Sequence, residues 1–379
     1  MKINSKSPIR ILHVLTAMNM AGTETLLMNF YRNIDRSRVQ FDFAVSTTEH
    51  CDYDDEIIAL GGRIIHYPLY NPLKHESYKK WWDHFFADHP EYKIVHGHIG
   101  STAAIYLRIA KKHGCFTIAH SHSTKGNFNL INLAYQIYSY PTRFVADQFF
   151  GCSQKALVDR YGKKVAESSK ARVINNGIDA EKYVFNPEIR KQMRNEFGVD
   201  DNQLIIGTVG RLTEAKNPFE TIRICRMLKD RGLNFKFLWF GDGELKTDII
   251  NSINENHLEN TIRLMGKRSD IYNVLQAFDV FLFPSIFEGL GIACIEAQAS
   301  GLPTLCSNTI PSEADISDCC VFLPLNDTTA WCDEIEKTVS FIENPEYKRP
   351  DNLKLVENAG YEIKKEAKWL EQFYIEHSD

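Results

Sequence analysis

The chain has 379 residues, 44% of them hydrophobic and 25% charged, and its formal net charge at pH 7 is −5. This length is enough for two domains, and the proportions are those of a globular protein, which excludes a disordered or fibrous chain. No apolar run reaches about 18 residues, so no membrane-spanning helix is predicted, and the nine cysteines, without a C-x-x-C pair, are expected to be free cytosolic thiols.

In the first half of the chain, apolar runs alternate with segments of helical length. The predicted strands are residues 9–15, 41–46, 63–67, 94–98, 116–119 and 148–152. Helical patterns occur at residues 23–32, 54–60 and 101–112. Strands separated by helices predict an α/β domain whose parallel sheet is covered on both faces.

The second half repeats this alternation. Its predicted strands are residues 204–209, 235–240, 262–265, 280–283, 304–307 and 321–323, preceded by a helix at 187–199. The segment 177–179 marks the predicted boundary, which gives an N-terminal domain of residues 1–178 and a C-terminal domain of residues 179–359. Residues 360–376 carry apolar side chains at helical spacing and predict a final amphipathic helix.

Charge is distributed unevenly between the two halves. Residues 1–178 contain 22 Lys and Arg against 15 Asp and Glu, whereas the remainder contains 22 against 34. The basic half therefore favours an anionic partner, such as a lipid diphosphate or the inner membrane leaflet, although chance unevenness explains a net +7 as well. Nucleic acid is not expected, because the sequence carries no nucleic-acid motif and its pI is 6.2.

The pair Glu288 and Glu296 is the strongest chemical signal. A Gly-rich turn follows the strand 280–283, and a helical pattern begins within the seven residues that separate the two carboxylates. Backbone amides at a helix N-terminus suit a phosphate, and carboxylates accept hydrogen bonds from neighbouring hydroxyls. Two carboxylates around a phosphate site suit a nucleotide-sugar, which has sugar hydroxyls on both sides of a diphosphate.

These residues resemble the E-x7-E motif of the family 4 retaining glycosyltransferases. The resemblance implies a GT-B fold, with two Rossmann-like domains facing a cleft, and a final helix, residues 360–379, that rejoins the N-terminal domain. It further implies that Glu296 holds the ribose, that Glu288 grips and orients the donor sugar, and that the amides of Gly289, Leu290 and Gly291 stabilise the leaving diphosphate.

Other donor-side segments resemble the same family in the same chain order. Gly210 and Arg211, with Lys216, look like its G-R-L-x-x-x-K segment, whose two cations neutralise the diphosphate. Gly241 and Asp242 resemble its G-D-G turn, and Met265 lies in the stretch whose backbone reads the nucleobase. Without the resemblance, solvated cations, an ordinary turn and a strand ending in Gly would explain these segments.

The N-terminal half carries weaker matches. Gly22 lies in a segment similar to the family's G-G-x-E loop, with Ala21 in the first Gly position, and an ordinary strand-to-helix turn is the alternative. His120, at the end of the strand 116–119, aligns with the family's histidine beside the donor sugar, and His122 is the second choice. His96 and His98 are expected to be structural.

Acceptor and metal sites are less defined. His122 and Lys125 are weak acceptor candidates, and the aromatic segment 127–147 fits a lipid or acceptor contact and a packed helix equally. Asp52-Tyr53-Asp54 has the D-x-D form that binds metal in the unrelated GT-A fold, but acidic residues that cap the following helix explain it better. We therefore expect no metal and no cofactor besides the donor.

The resemblance as a whole predicts a cytoplasmic enzyme of bacterial capsule or exopolysaccharide synthesis. It would move a sugar from a nucleotide-sugar, UDP-linked by family preference, to a glycan or lipid-linked acceptor, with retained configuration. Peripheral contact with the inner membrane face is left open. The alternatives are a nucleotide-sugar epimerase of similar fold and a non-catalytic subunit of a transferase complex.

Overall fold

The computed structural model describes residues 7–122, 136–200 and 202–378. The chain divides into two compact units, which are described separately. The first comprises residues 1–178 together with 362–379, and the second comprises residues 179–361. In the described ranges, each unit is built around a single parallel sheet.

The sheet of the first unit has seven strands in the order β3-β2-β1-β4-β5-β6-β7, and all neighbours pair in parallel. The six predicted strands are present with bounds shifted by at most two residues. The short, partly exposed β7 was not predicted, because three residues give too little pattern to recognise. The strands are β1 (Ile9–Leu15), β2 (Val39–Val45), β3 (Ile64–His66), β4 (Ile94–Gly97), β5 (Phe116–Ser121), β6 (Gln148–Gly151) and β7 (Ala171–Val173).

Helices of the first unit connect these strands. Helix α3 was absent from the predicted elements, although its aromatic residues recur at helical spacing and its Tyr78, Trp82 and Phe86 are buried. The helices are α1 (Gly22–Asn33), α2 (Asp54–Ala59), α3 (His75–Asp88), α4 (Ala103–Lys112), α5 (Gln154–Tyr161), α6 (Lys163–Ala166) and, from the end of the chain, α14 (Ile363–Glu376).

Strand alternation divides the core of the first unit between the two faces of its sheet. In β1, Ile11 and Leu15 pack into one hydrophobic cluster, whereas Leu12 and Val14 pack into the other. The first cluster also contains Leu370 and Tyr374 of α14. The final helix therefore forms part of the core of the unit that begins the chain.

The second unit has a six-stranded parallel sheet in the order β10-β9-β8-β11-β12-β13. All six predicted strands are present, within one residue at each end. They are β8 (Leu204–Val209), β9 (Phe235–Phe240), β10 (Ile262–Gly266), β11 (Val280–Phe283), β12 (Thr304–Ser307) and β13 (Cys320–Leu323).

In one helix of the second unit, both ends are explained by capping residues in the sequence. Helix α7 starts after Asn186, whose side chain accepts hydrogen bonds from two backbone N–H groups, and it stops at Gly198 in the left-handed conformation. The helices are α7 (Pro187–Phe197), α8 (Pro218–Asp230), α9 (Lys246–Glu255), α10 (Ile271–Ala277), α11 (Ile292–Ala299), α12 (Thr328–Ile342) and α13 (Leu353–Asn358).

Both sheets reverse their strand order next to their first strand. The reversal lies between β1 and β4 in the first unit, and between β8 and β11 in the second. In open parallel sheets, ligands bind outside the carboxyl ends of the strands at such a switch point. Each unit therefore presents one favoured crevice, bordered in the second unit by the loops after β8 and β11.

The described ranges contain no candidate for a membrane-spanning helix. None of the helices there combines the length and the apolar character that a bilayer-spanning segment requires.

Candidate active site

The loop after β8 forms one border of the crevice in the second unit. It runs from Gly210 through a short 3-10 turn at Glu214–Lys216 to Asn217, which has a φ of 53° and precedes α8. A Cβ atom at Gly210 would lie 3.0 Å from Cε of Lys216. The loop therefore folds back on itself and brings the Lys216 stem over the strand end.

The predicted G-D-G turn packs directly on this loop. Gly210 N–H donates to Phe240 O at 2.9 Å, and Leu212 N–H donates to Asp242 O at 3.1 Å. Gly241 has a φ of 150°, and a Cβ there would lie 2.0 Å from the Gly210 carbonyl oxygen. Only glycine fits at this position, because the two turns approach each other through their backbones.

The segment around Met265, predicted to face the nucleobase, lies next to the G-D-G turn. Gly241 N–H donates to Gly266 O at 2.8 Å, which ties the G-D-G turn to the end of β10. The register of β10 against β9 shifts between Leu264 and Gly266, so partly buried Met265 lies at an irregularity in the strand. Met265 and Asp242 thus sit at the ends of neighbouring strands.

The Gly-rich loop after β11 forms the other border. Ile286 N–H donates to Ala215 O at 2.8 Å, which joins this loop to the loop after β8. Gly291 has a φ of 85°, and its position allows α11 to begin at Ile292 without a side-chain cap. The N–H groups of Cys294 and Ile295 donate to Gly291 O, whereas those of Ile292 and Ala293 have no acceptor among the described residues and are available to an anion.

Lys216 and Glu288 form a salt bridge. Lys216 Nζ lies 2.5 Å from Oε1 of Glu288 and 4.6 Å from the centroid of the Phe283 ring. Both side chains are largely buried, with 20% and 13% of their surface exposed. The two residues, predicted from separate motifs, therefore meet between the borders of the crevice.

Glu296 lies one turn into α11 and has a partner that the sequence analysis missed. Tyr183 donates its hydroxyl to Oε1 of Glu296 at 2.6 Å. Burial raises the pKa of Glu296 to about 7, against the lowering effect of this hydrogen bond. Tyr183 belongs to a short 3-10 turn directly after the predicted domain boundary at residues 177–179, and no motif pointed to its hydroxyl.

Arg211 differs from Lys216 in its surroundings. It is exposed, and in the described part of the chain its guanidinium has no hydrogen-bond or ion-pair partner. Partly buried Gly289 and buried Leu290 precede the start of α11. A guanidinium that is not engaged by the described chain can hold a diphosphate through several N–H donors.

In the first unit, Gly22 begins α1, directly after the loop that follows β1. A Cβ at Gly22 would meet no heavy atom within 4 Å, so the fold does not itself require glycine there. The prediction that acidic residues lie at the start of α2 is confirmed, because Asp54 is in its first turn, but the N-cap is Tyr53 and no side chain caps the helix. Asp52 and Asp54 instead accept hydrogen bonds from the N–H groups of Met20 and Cys51.

His120 and His122 belong to a cluster of five histidines at the crevice of the first unit. Two of the others, His96 and His98, were expected to be structural, and His13 carried no prediction. Lys125, the other acceptor candidate, lies outside the described residues. The cluster members are His13, His96, His98, His120 and His122, which come from β1, from β4 and the residue after it, and from β5 and the residue after it.

Burial keeps these imidazoles neutral at pH 7. It lowers the pKa of His13 and His122 to about 3 and lowers the pKa of the other three well below the usual value. A signal was present in the sequence, because the H-x-H pairs 96–98 and 120–122 put each pair on one face of a strand. The described residues also contain one thiol cluster, formed by Cys294, Cys306 and Cys320.

Comparisons with known proteins show which family the chain belongs to. The family described as glycosyl transferases group 1 matches residues 189–319. The chain is 31% identical over 315 residues to the putative glycosyltransferase EpsF of Bacillus subtilis, with 82% of each chain covered. It is 31% identical over 231 residues, 58% of each chain, to the UDP-Gal:alpha-D-GlcNAc-diphosphoundecaprenol alpha-1,3-galactosyltransferase of Escherichia coli.

A solved structure with the same fold is HepE of Anabaena in complex with UDP. It matches with a TM-score of 0.77 at 14% identity, over 97% of this chain and 100% of HepE. This likeness, with the two parallel sheets, confirms the predicted GT-B fold. Because the match to EpsF spans most of both chains, the protein belongs to the group 1 family of glycosyltransferases.

Proposed function

We propose that the protein transfers a sugar from a UDP-sugar to a glycan or lipid-linked acceptor of a bacterial surface polysaccharide, with retention of anomeric configuration. The observation that carries this proposal is the convergence of Lys216, Glu288 and the start of α11 at the switch point of the second sheet. The name of the E. coli relative includes a UDP-sugar and a diphosphoundecaprenol acceptor, and HepE was solved with UDP.

Glu296 is the proposed ribose site. Tyr183 occupies Oε1, and Oε2 has no hydrogen-bond partner within the described ranges. A carboxylate oxygen accepts two hydrogen bonds, so Oε2 can receive the vicinal ribose hydroxyls. Tyr183 thus orients the carboxylate and leaves one oxygen open to the nucleotide.

The diphosphate would rest on Arg211, Lys216 and the amides between Gly289 and Gly291. Negative charge grows on the leaving diphosphate as the glycosidic bond breaks, and fixed donors stabilise that charge without reorganising. Two cations and a helix N-terminus supply the neutralisation that a divalent metal gives in other transferases. We therefore propose that donor binding in the second unit needs no metal.

Glu288 is the proposed sugar-orienting residue. Its salt bridge to Lys216 fixes the carboxylate next to the diphosphate position, where hydroxyls of the transferred sugar would reach it. Retention would follow from attack on the face that the diphosphate leaves, with a diphosphate oxygen taking the acceptor proton. The proposed roles of Gly22 and His120 at the donor sugar, and of His122 and Lys125 at the acceptor, remain predictions.

Calorimetric titration with UDP, GDP and their sugar derivatives in EDTA tests the donor site. We expect selective binding of uridine nucleotides, lost in Glu296→Ala and kept in Glu255→Ala, an exposed glutamate on α9 of the same unit. Lack of binding by the unmodified protein would overturn the donor-site assignment. The anomeric configuration of a product, read by proton NMR coupling constants, tests retention.

A further inference from the structure

Five histidines occupy one face of the first sheet at its switch point. His13 of β1 lies opposite His96 of β4 in the parallel register, and His98 and His122 follow the ends of β4 and β5 on the same faces as His96 and His120. Their ring centroids lie between 4.0 and 5.5 Å from their neighbours. In the described chain, they form two overlapping groups of three, His13/His96/His98 and His98/His120/His122.

Hydrogen bonds among these rings form two chains. In one chain, His122 Nε2 contacts His98 Nδ1 at 2.8 Å, and His98 Nε2 contacts His13 Nδ1 at 3.0 Å. In the other, His120 Nδ1 contacts His96 Nε2 at 3.2 Å, and His96 Nδ1 contacts the Tyr374 hydroxyl at 2.6 Å. We call His98, His120 and His122 the outer histidines, and His13 and His96 the inner ones. His98 and His120 therefore each already use one ring nitrogen to contact an inner histidine.

The ends of both chains are left without partners. His13 Nε2, His120 Nε2 and His122 Nδ1 are buried atoms with no hydrogen-bond partner in the described ranges. A neutral imidazole has one N–H and one lone pair, so every direction of the two chains leaves a buried donor or acceptor unsatisfied. Such orphaned groups are costly, and of these three atoms His120 Nε2 indicates a ligand that the described chain does not supply.

We propose that His98, His120 and His122 bind a divalent transition-metal ion, for which Zn²⁺ is the best fit. One ligand nitrogen from each of the three residues lies within 4.8 Å of the other two. Imidazole nitrogen suits zinc, and a site with three histidine ligands leaves a fourth position for water or a substrate oxygen. The ion would replace the direct hydrogen bond between His98 and His122.

The inner histidines fit the role of orienting groups. With His98 binding through Nδ1 and His120 through Nε2, the other nitrogen of each ligand carries the proton. That proton is then donated to His13 Nδ1 in the first case and to His96 Nε2 in the second. Metal-bound histidines commonly make such a second hydrogen bond, which fixes the tautomer and the ring orientation.

The outer group is also the reachable one. His98 and His122 are partly exposed, whereas His13 and His96 are 0% and 1% exposed. An ion can therefore enter from the His98 and His122 side without opening the sheet. Since the ion takes His120 Nε2, metal binding and direct contact of that nitrogen with a sugar are alternative assignments.

Calorimetric titration of the metal-stripped full chain with ZnCl₂ tests the site. We expect one ion per chain, with affinity reduced at least about 100-fold in His98→Gln and in His122→Gln. The control His50→Gln removes an exposed histidine that lies 3.1 Å from Asp55, a plausible surface site, and should leave the affinity unchanged. UDP titrations of the same variants in EDTA report separately on the donor site.

A second measurement uses the unmodified protein and does not depend on the folding of any variant. Long-range nitrogen–proton NMR should show ring-nitrogen shifts at three histidines on zinc addition, and Co²⁺ should give the intense visible bands of a four-coordinate ion. Absence of zinc binding, or binding that both cluster variants retain, would overturn the proposal. A loss of zinc binding in His50→Gln would do so as well, because the ion would then be at the surface.

Discussion

Tyr183 donates its hydroxyl to Oε1 of Glu296 across 2.6 Å, joining a turn at the start of the second unit to the helix that follows the Gly-rich loop. The two residues are 113 positions apart in sequence. Burial raises the pKa of Glu296, and this hydrogen bond opposes that rise. Tyr183 therefore helps to set both the direction and the charge of the proposed ribose site.

Removing that hydroxyl should weaken nucleotide binding. In Tyr183→Phe the carboxylate loses a hydrogen bond of about 1 kcal/mol, so the UDP dissociation constant should rise roughly fivefold. Calorimetric titration checks this value. Tyr272→Phe is a matched control, because its ring lies 6.3 Å from that of Tyr183 and its hydroxyl makes no hydrogen bond with Glu296 in the described part of the chain. Equal affinities of Tyr183→Phe and the unmodified protein would contradict the assignment.

Nucleotide affinity should depend on the protonation of Glu296. Its pKa of about 7 means that lowering the pH from 8 to 6 protonates most of the carboxylate. The affinity of the unmodified protein should then fall about tenfold relative to Glu296→Gln. This ratio cancels the titration of UDP itself, which affects both proteins alike. A ratio that stays constant across this range would show that the charge of Glu296 does not matter for binding.

The same shift predicts an effect on stability with a definite sign. The pKa of Glu296 is higher in the folded protein, about 7, than its ordinary value of 4.5. Its stabilising contribution is therefore complete below pH 4.5 and is lost as the pH rises through 7. The melting temperature of Glu296→Gln, relative to the unmodified protein, should rise between pH 5 and pH 8. A relative fall over that interval would contradict the direction of the shift.

Lys216 and Glu288, which form a salt bridge, should have coupled effects on UDP affinity. Lys216→Met removes a charged donor from the proposed diphosphate site, so UDP affinity should fall roughly 10- to 100-fold. Adding Glu288→Gln to that variant should cost less than the same change in the unmodified protein, because the pair is already broken. Lys236→Met, which changes a partly exposed lysine of β9 away from this crevice loop, is the control. Additive effects of the two changes would indicate independent roles.

Gly241 should tolerate no side chain. In Gly241→Ala the new Cβ would lie 2.0 Å from the Gly210 carbonyl oxygen, at a φ of 150°. Backbone strain and displacement of the turn should together lower the unfolding free energy by on the order of 3 kcal/mol. Thermal unfolding measures this change. Gly232→Ala, at a φ of 88° with open space around it, isolates the effect of φ and should be destabilised clearly less.

Local sequence patterns were enough to predict most of the strands and to recognise the family. Continuous apolar runs marked twelve of the strands in the described chain, because a parallel strand that is buried on both faces needs apolar residues on each. The Gly-rich loop before Glu296 was readable because its turn and helix start need glycine at Gly291. These features depend on residues close together in the chain.

Contacts between segments that are distant in sequence could not be predicted from local patterns. Helix α3 was missed because its buried side chains are aromatic and are mixed with lysine and histidine. Pairing between Lys216 and Glu288 depends on the meeting of two loops after neighbouring strands, and the order of those strands follows from packing of the whole sheet. Neither motif alone specifies that contact.

By itself, the sequence determined an α/β chain with a glycine-rich carboxylate motif, because backbone periodicity and glycine requirements are local. The GT-B type was implied by the resemblance of its motifs to the family 4 glycosyltransferases. Only the tertiary structure placed Tyr183 on Glu296 and gathered five histidines beneath Tyr374. Such groupings arise from strand order and from the return of the last helix to the first sheet, which bring together residues far apart in the chain.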